Sequence, residues 1–181
     1  MIRIVIAEDQ EMLLGVIGSL LNLEEDIEVI GQARNGKEAI TLVNRLKPDV
    51  CIMDIEMPIM NGLEAADALR STECKVIILT TFAKKGYFEH AVKANVRGYL
   101  LKDSPGEELA SSIRSIMDGN QIYSTELMDL DTSDNERETE ELELLLDKPI
   151  INKIPTQSNH SIKTFRNYFS AIMEKIKAPT G

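Results

Sequence analysis

The stretch that decides the fold is Val50-Cys51-Ile52-Met53-Asp54, an apolar run that ends at a single carboxylate. Such a run is typical of a strand buried on both faces of a sheet. A second run, residues 2–7, ends at Glu8 and Asp9, and a third, residues 96–101, ends at Lys102. If these strands are parallel neighbours, three acids and one ammonium group lie together at one edge of the sheet.

Short β-rich runs alternate with amphipathic segments over the first 118 residues. This alternation is typical of a parallel sheet whose crossover helices cover both faces. Five such βα units favour a doubly wound α/β fold of the flavodoxin-like strand order 2-1-3-4-5, with ligands at the carboxyl ends of strands 1 and 3. The predicted strands are 2–7, 27–31, 49–54, 75–80 and 96–101, and the predicted helices are 10–22, 35–46, 62–71, 85–95 and 104–118.

Beyond residue 118 the composition of the chain changes. Residues 119–134 have no sustained periodicity, which predicts a linker. Acids dominate residues 126–147 and bases dominate 148–177, although the whole chain carries a net charge of −10. Apolar residues at three- and four-residue spacing predict a helix near 161–176. We therefore expect a small all-α, helix-turn-helix-like module over 135–181.

The acidic edge predicts a site for phosphoryl chemistry. Clustered carboxylates repel one another unless a cation lies among them, and hard oxygen ligands with room for water favour Mg²⁺. Beside such an ion and the ammonium group of Lys102, the Asp54 carboxylate can act as a nucleophile toward a phosphoryl group. Thr80 ends the fourth predicted strand and adds a hydroxyl at the same edge.

Membrane insertion is not expected. No apolar run in the chain approaches the roughly 18–20 residues that a membrane-spanning helix needs. The chain also enters its first predicted strand at Ile2, without the pattern of a secretory signal. These observations predict a cytoplasmic protein.

The acidic edge and its neighbours resemble the receiver domain of two-component response regulators. The resemblance rests on Glu8-Asp9, on Asp54 followed by Met57-Pro58 and Gly62, on Thr80 and on Lys102, and it covers residues 1–124. The stretch Gly98-Tyr99-Leu100-Leu101-Lys102-Asp103 resembles the NarL/FixJ branch in particular, and the match to a membrane-fluidity regulator within it implies control of membrane-lipid genes.

The resemblance implies a role for each matching residue. Asp54 would accept the phosphoryl group, and Lys102 would pair with that group once it is bound. Magnesium would be held by Glu8, Asp9, Asp54 and the backbone carbonyl of Glu56. Thr80 and Tyr99 would be the switch residues, with Thr80 preferred to Thr81 because of its offset of 22 residues from Lys102. The implied partner is a sensor histidine kinase, and the protein would not be an enzyme in its own right.

The C-terminal segment resembles the LuxR-type helix-turn-helix of the same branch, which implies promoter DNA as a partner. The recognition helix would carry Lys163, Thr164, Arg166 and Asn167, with the basic side chains on phosphates and Asn167 on a base edge. The segment departs from the family pattern, however, most sharply where Pro155 falls inside the predicted second helix. Two alternatives remain open: a DNA-binding module, or a decayed module in a receiver that acts as a phosphoryl sink or through protein contacts.

Two further expectations concern assembly and an alternative activity. Apolar residues span a broad arc of the first helix, so we expect part of it, at Met12, Leu14 or Leu21, to be free for contact with a second copy. The resemblance implies a phosphorylation-driven homodimer through the first and last receiver helices. The alternative of an aspartyl-nucleophile phosphohydrolase is disfavoured because Glu56, not a second Asp, lies two residues after Asp54.

Overall fold

The computed structural model describes residues 1–81, 86–102 and 106–124. Within these ranges strands and helices alternate as the sequence predicts, and a short sixth strand follows the last helix. None of the described helices is long and apolar enough to cross a membrane. The elements are β1 (Ile2–Ala7), α1 (Glu11–Leu21), β2 (Ile27–Ala33), α2 (Gly36–Leu46), β3 (Val50–Met53), α3 (Gly62–Leu69), β4 (Lys75–Thr80), α4 (Tyr87–Lys93), β5 (Gly98–Leu101), α5 (Gly106–Met117) and β6 (Ile122–Tyr123).

The strands form one parallel sheet in the order β2-β1-β3-β4-β5-β6. The predicted order of the first five strands and the α/β class are therefore confirmed. Alternate residues of each strand contribute to two separate cores. On β1, Val5 and Ala7 pack with α2, α3 and α4, whereas Ile4 and Ile6 pack with α1 and α5. The two helical layers explain why β1 and β3 are apolar on both faces.

The sixth strand corrects the predicted linker. Ile122 and Tyr123 pair with Gly98 and Tyr99 of β5, so the sheet extends into the range 119–134 that we assigned to a linker. A two-residue strand is too short for a periodic pattern to show in the sequence. It is fixed instead by tertiary contacts: the Tyr123 hydroxyl donates to the Val96 carbonyl over 2.8 Å, and its ring meets Phe88 edge to face.

Side-chain caps fix the starts of two helices. Asn35 caps α2, because its side chain accepts a hydrogen bond from the Glu38 amide over 2.9 Å. At α3, Asn61 and Glu64 form a reciprocal capping box that the sequence analysis did not anticipate.

The structure shows which apolar residues of α1 are buried and which are exposed. Leu14 and Leu21 are buried against the sheet, and Met12 is the one of the three candidates that is exposed, at 55%. Helices α1 and α5 cover the same face of the sheet and pack against each other. Of the three positions that the sequence left open, Met12 is therefore the one that has free apolar surface.

Candidate functional site at the carboxyl edge of the sheet

The carboxyl edge of the sheet brings the predicted side chains together. Asp54 follows β3, Glu8 follows β1, and these two strands pair in register, with Ala7 opposite Met53. The Asp54 amide donates to the Ala7 carbonyl over 2.9 Å, which extends the ladder to the carboxylate itself. Lys102 follows β5, and its amide donates to the Thr80 carbonyl over 2.7 Å. Parallel pairing alone thus delivers all four residues to one edge.

Lys102 bridges two of the acids. Its Nζ lies 2.6 Å from Glu8 Oε2 and 2.9 Å from Asp54 Oδ2, and all three side chains are buried. A buried ammonium group needs such partners because an isolated charge is costly away from water. The resemblance implied a pairing of Lys102 with a phosphoryl group, whereas here the ammonium group is held between the two carboxylates.

The Asp54 carboxylate is held at both oxygens. Oδ1 accepts a hydrogen bond from the Ile55 amide over 2.7 Å, while Oδ2 faces Lys102. Residues 55–61 form a loop that is closed at its base, because the Gly62 amide donates to the Ile55 carbonyl over 2.9 Å. A Cβ at Gly62 would lie 2.0 Å from the Asp54 carbonyl oxygen. Only glycine permits this return, which fixes the backbone of the Asp54 loop.

Burial dominates the titration of both acids. It raises the pKa of Glu8 to about 7, although Lys102 acts in the opposite direction and the charge of Asp54 adds to the rise. The pKa of Asp54 is also raised, first by burial, with Lys102 and the Ile55 amide opposing. Further positive charge in the site would therefore stabilise the ionised form of each carboxylate.

Glu8, Asp9 and Asp54 form a cluster able to hold a metal ion. One carboxylate oxygen from each lies within 4.8 Å of the others, and Asp9 is exposed while Glu8 and Asp54 are buried. Oxygen donors of this type suit hard divalent cations, and the exposed side at Asp9 leaves room for water ligands. Glu56 lies in the loop two residues beyond Asp54 with an exposed side chain, and the role of its carbonyl stays a prediction.

The two predicted switch residues are both buried. Thr80 ends β4 opposite Leu101, the residue before Lys102, so it lies beside the bridging lysine at the level of the backbone. Tyr99 is fully buried and meets Phe88 edge to face at 5.8 Å between ring centroids. Its hydroxyl has no hydrogen-bond partner among the residues that the structure describes. Burial raises the pKa of Tyr99, so this hydroxyl is neutral.

The predicted DNA-contacting residues cannot be placed in the same way. Lys163, Thr164, Arg166 and Asn167 lie outside the described residues. Their roles stay predictions.

Comparison with known proteins assigns the family. The family model of the response regulator receiver domain matches residues 4–114. This chain belongs to the response regulator receiver family. The chain is 56% identical to the transcriptional regulatory protein DesR of Bacillus subtilis over 181 residues, which is 98% of this chain and 91% of DesR. It is 50% identical to YvfU of the same organism, an uncharacterized transcriptional regulatory protein, over 98% of this chain and 92% of YvfU.

A solved structure supports the same family assignment. The fold of this chain is similar to that of a DNA-binding response regulator of the LuxR family from Staphylococcus aureus, with a TM-score of 0.62 and 42% sequence identity. The superposition covers 64% of this chain and 98% of that one. The family predicted from the motifs is confirmed, and the chain is similar to transcriptional regulators over nearly its whole length.

Sequence reasoning missed the residues that shape the Asp54 loop. The capping box of Asn61 and Glu64 seats the start of α3 directly beside Asp54. Its signal was present, because an Asn followed three residues later by Glu is a known start pattern for helices. The Gly36 amide donates to the Met60 carbonyl over 2.9 Å and ties the same loop to α2. No local pattern predicts that contact, because it joins segments distant in sequence.

Proposed function

We propose that Asp54 accepts a phosphoryl group from a histidine kinase and that the modified receiver controls transcription. The observation that carries the proposal is the placement of the Asp54 carboxylate 2.9 Å from Lys102 Nζ, within the cluster of Glu8 and Asp9. Asp54 is only 7% exposed, so the carboxylate is accessible from one side, at the edge of the sheet. Nucleophile, cation and acidic ligands thus share one small, largely buried volume.

The proposed transfer forms one bond and breaks one. A carboxylate oxygen of Asp54 attacks phosphorus, the P–N bond to the kinase histidine breaks, and the histidine nitrogen keeps the electron pair. Lys102 is able to turn from the Asp54 oxygen to the phosphoryl oxygens, because its ammonium group has three donors. Its contact with Glu8 keeps the ammonium group at the site during this exchange.

The donor set fits Mg²⁺. Glu8, Asp9 and Asp54 would hold the ion together with the carbonyl of Glu56, and the exposed side at Asp9 would leave room for water ligands. When bound, Mg²⁺ supplies positive charge that neutralises the phosphoryl oxygens. Burial raises the pKa of both Glu8 and Asp54, and a cation bound between them would favour their charged forms.

Labelling with a small phosphodonor tests the site. Incubation with acetyl phosphate and MgCl₂ should add one phosphoryl group per chain, located at Asp54 by mass spectrometry. Asp54→Asn should abolish the label, whereas Asp118→Asn, which changes an exposed acid elsewhere, should retain it. Label at another residue would overturn the proposal. Repeated turnover of a phosphate ester would favour the phosphohydrolase instead.

We further propose that phosphorylation drives dimerisation and DNA binding in the cytoplasm. Support for the first comes from α1 and α5, which share one face of the sheet and leave Met12 exposed. Support for the second comes from the relatives, which are transcriptional regulators matched over 98% of this chain. Control of membrane-lipid genes is the specific target that we propose.

Two measurements test these steps. Light scattering at tens of micromolar should show a monomer become a dimer when beryllofluoride and Mg²⁺ are added, and a persistent monomer would contradict dimerisation. A gel shift of the phosphorylated protein on the promoter of a desaturase gene should show a salt-sensitive complex. Absence of any shift would favour the decayed module.

A further inference from the structure

A cavity of about 420 Å³ lies at the amino edge of the sheet, and we call it the amino-edge cavity. Its walls come from the end of α3, the loop between α3 and β4, the starts of β4 and β5, and the end of α5. The same two strands end at Thr80 and at Leu101, beside Lys102, on the opposite edge. Since β4 has 6 residues, the two edges are roughly 17 Å apart. The cavity is therefore separate from the acidic cluster.

Three cationic side chains line the amino-edge cavity. Arg70 follows α3, Lys75 begins β4, and Arg97 directly precedes β5. The Arg97 amide donates to the Val76 carbonyl over 2.8 Å, so the starts of the two strands lie side by side. Glu73 is the one acid among the described lining residues. The cavity is thus positively charged on balance, although the whole chain has a net charge of −10.

These three cations have no carboxylate partner in the part of the chain that the structure describes. Lys102 and Arg114, in contrast, each lie against two acids. Lys75 and Arg97 are also half-buried, where water screens their mutual repulsion less well than at the open surface. A concave surface with one sign of charge concentrates ions of the other sign. An anion bound in the cavity would supply the missing counter-charge.

The remainder of the wall indicates what carries that anion. Leu69, Val76 and Ile116 contribute apolar surface to the cavity. Its volume is many times the roughly 30 Å³ of a water molecule and falls in the range of pockets that hold small organic ligands. Guanidinium groups present paired donors that match the oxygens of a phosphate group. Together these features favour a phosphate group attached to an organic body.

We infer that the amino-edge cavity binds a small phosphate monoester, with the phosphate group on Arg70, Lys75 and Arg97 and the organic body against the apolar wall. This binding is additional to phosphoryl transfer at Asp54 and does not depend on it. The cavity holds the ester without reaction at its cysteine. Burial raises the pKa of the Cys74 thiol to about 12, so the thiol is neutral.

Titration calorimetry of the full chain in buffer without Mg²⁺ tests the inference. The probes are glycerol phosphate, glucose phosphate and adenosine monophosphate, a series in which the organic body grows. At least one should bind once per chain, about tenfold or more tighter than inorganic phosphate and than its own parent alcohol. Equal affinity for inorganic phosphate would show an ion site only, and equal affinity for the parent alcohol would show that the phosphate group plays no part. Either result, or no binding of any ester at millimolar concentration, would overturn the inference.

Substitutions in the lining locate the bound ester. Arg70→Gln and Arg97→Gln should each weaken binding about tenfold, the loss expected when one charge-assisted hydrogen bond is removed. Glu73→Gln should strengthen binding, because it removes the one acid of the described lining. Arg70 is exposed, so its variant keeps the fold even if Arg97→Gln lowers the Tm. Unchanged affinity in Arg70→Gln would overturn the inference.

Two controls separate this cavity from other sources of affinity. Lys93 is an exposed cation at the end of α4 that does not line the cavity, so Lys93→Gln should leave the Kd unchanged. A loss equal to that of Arg70→Gln would show general attraction by surface charge and contradict the inference. Asp54→Asn should also bind the ester as the wild type does. Loss of binding in Asp54→Asn would place the ester at the acidic edge instead, and failure of phosphoryl labelling at Asp54 would leave the inference intact.

Discussion

One cation lies between two carboxylates at two places in the described structure. At the carboxyl edge Lys102 joins Glu8 and Asp54 in a buried cluster. Far from that edge Arg114 of α5 joins Glu24 and Asp26 at 2.6 Å each, with all three side chains partly exposed. The pKa of Glu8 is raised to about 7, chiefly by burial, whereas the pKa of Asp26 is lowered to about 2, chiefly by its hydrogen bonds with Arg114.

The two clusters differ in whether their charged groups are stabilised. The Arg114 cluster is a partly exposed group of three charges, in which hydrogen bonds stabilise the charged forms of Asp26 and Arg114. The Lys102 cluster is buried and has two carboxylates for one ammonium group; Tyr99, whose hydroxyl has no hydrogen-bond partner in the described ranges, and Ile59, at positive φ, belong to the same part of the fold. Features that oppose stability thus accompany the site, as expected where residues are kept for function.

Removal of the two cations gives the largest contrast. Lys102→Met leaves Glu8 and Asp54 buried without their counter-charge, and should lower the free energy of unfolding by about 3 kcal/mol in metal-free buffer. Arg114→Met should cost a small fraction of that, because its partners stay in contact with water. Urea unfolding measures both. Equal losses would show that burial does not separate the two clusters.

Magnesium should stabilise the first cluster and leave the second unaffected. At a free concentration ten times its Kd, Mg²⁺ should raise the free energy of unfolding by about 1.4 kcal/mol, because it binds the folded chain. Asp9→Asn should reduce this gain, while Asp26→Asn should keep it. Urea unfolding with MgCl₂, compared with NaCl of equal ionic strength, measures the effect. A gain that survives in Asp9→Asn would exclude Asp9 as a ligand.

Two tyrosines that meet the same phenylalanine sharpen the comparison. Tyr99→Phe removes a buried hydroxyl that has no partner in the described residues and should stabilise the protein by about 1 kcal/mol. Tyr123→Phe removes the hydrogen bond to the Val96 carbonyl and should destabilise by about the same amount. Thermal unfolding of both variants measures whether the two changes in stability have opposite signs. Destabilisation by Tyr99→Phe would mean that the hydroxyl has a partner in the folded state.

The smallest effect is the pH dependence of the surface cluster. Since the folded pKa of Asp26 lies below its ordinary value of 3.8, its contribution to stability is complete above that value and is lost as the pH falls toward 2. The stability difference between the wild type and Asp26→Asn should therefore shrink between about pH 4 and 2. A constant difference for Asp26→Asn would contradict the lowered pKa.

Much of the site was predictable because it depends on strand ends. Apolar runs that end at Glu8, Asp54 and Lys102 predict parallel strands, and parallel strands bring their carboxyl ends to one edge. The short strand β6 was not predictable, because two residues carry no period and their pairing depends on β5. The sequence left three positions open for free apolar surface on α1, because a helical wheel does not show which of them α5 and the sheet cover; Met12 is the exposed one.

The sequence by itself determined the strand order, the residues at the acidic edge and the family, since hydrophobic period and motif spacing are local properties of the chain. Tertiary structure alone decided how those residues interact. It placed Lys102 between Glu8 and Asp54, left the Tyr99 hydroxyl without a described partner, and held Ile59 at positive φ. These outcomes depend on burial and on contacts between distant segments. For Asp54, the sequence was enough to identify the reactive carboxylate, whereas burial and the contact with Lys102 set its pKa.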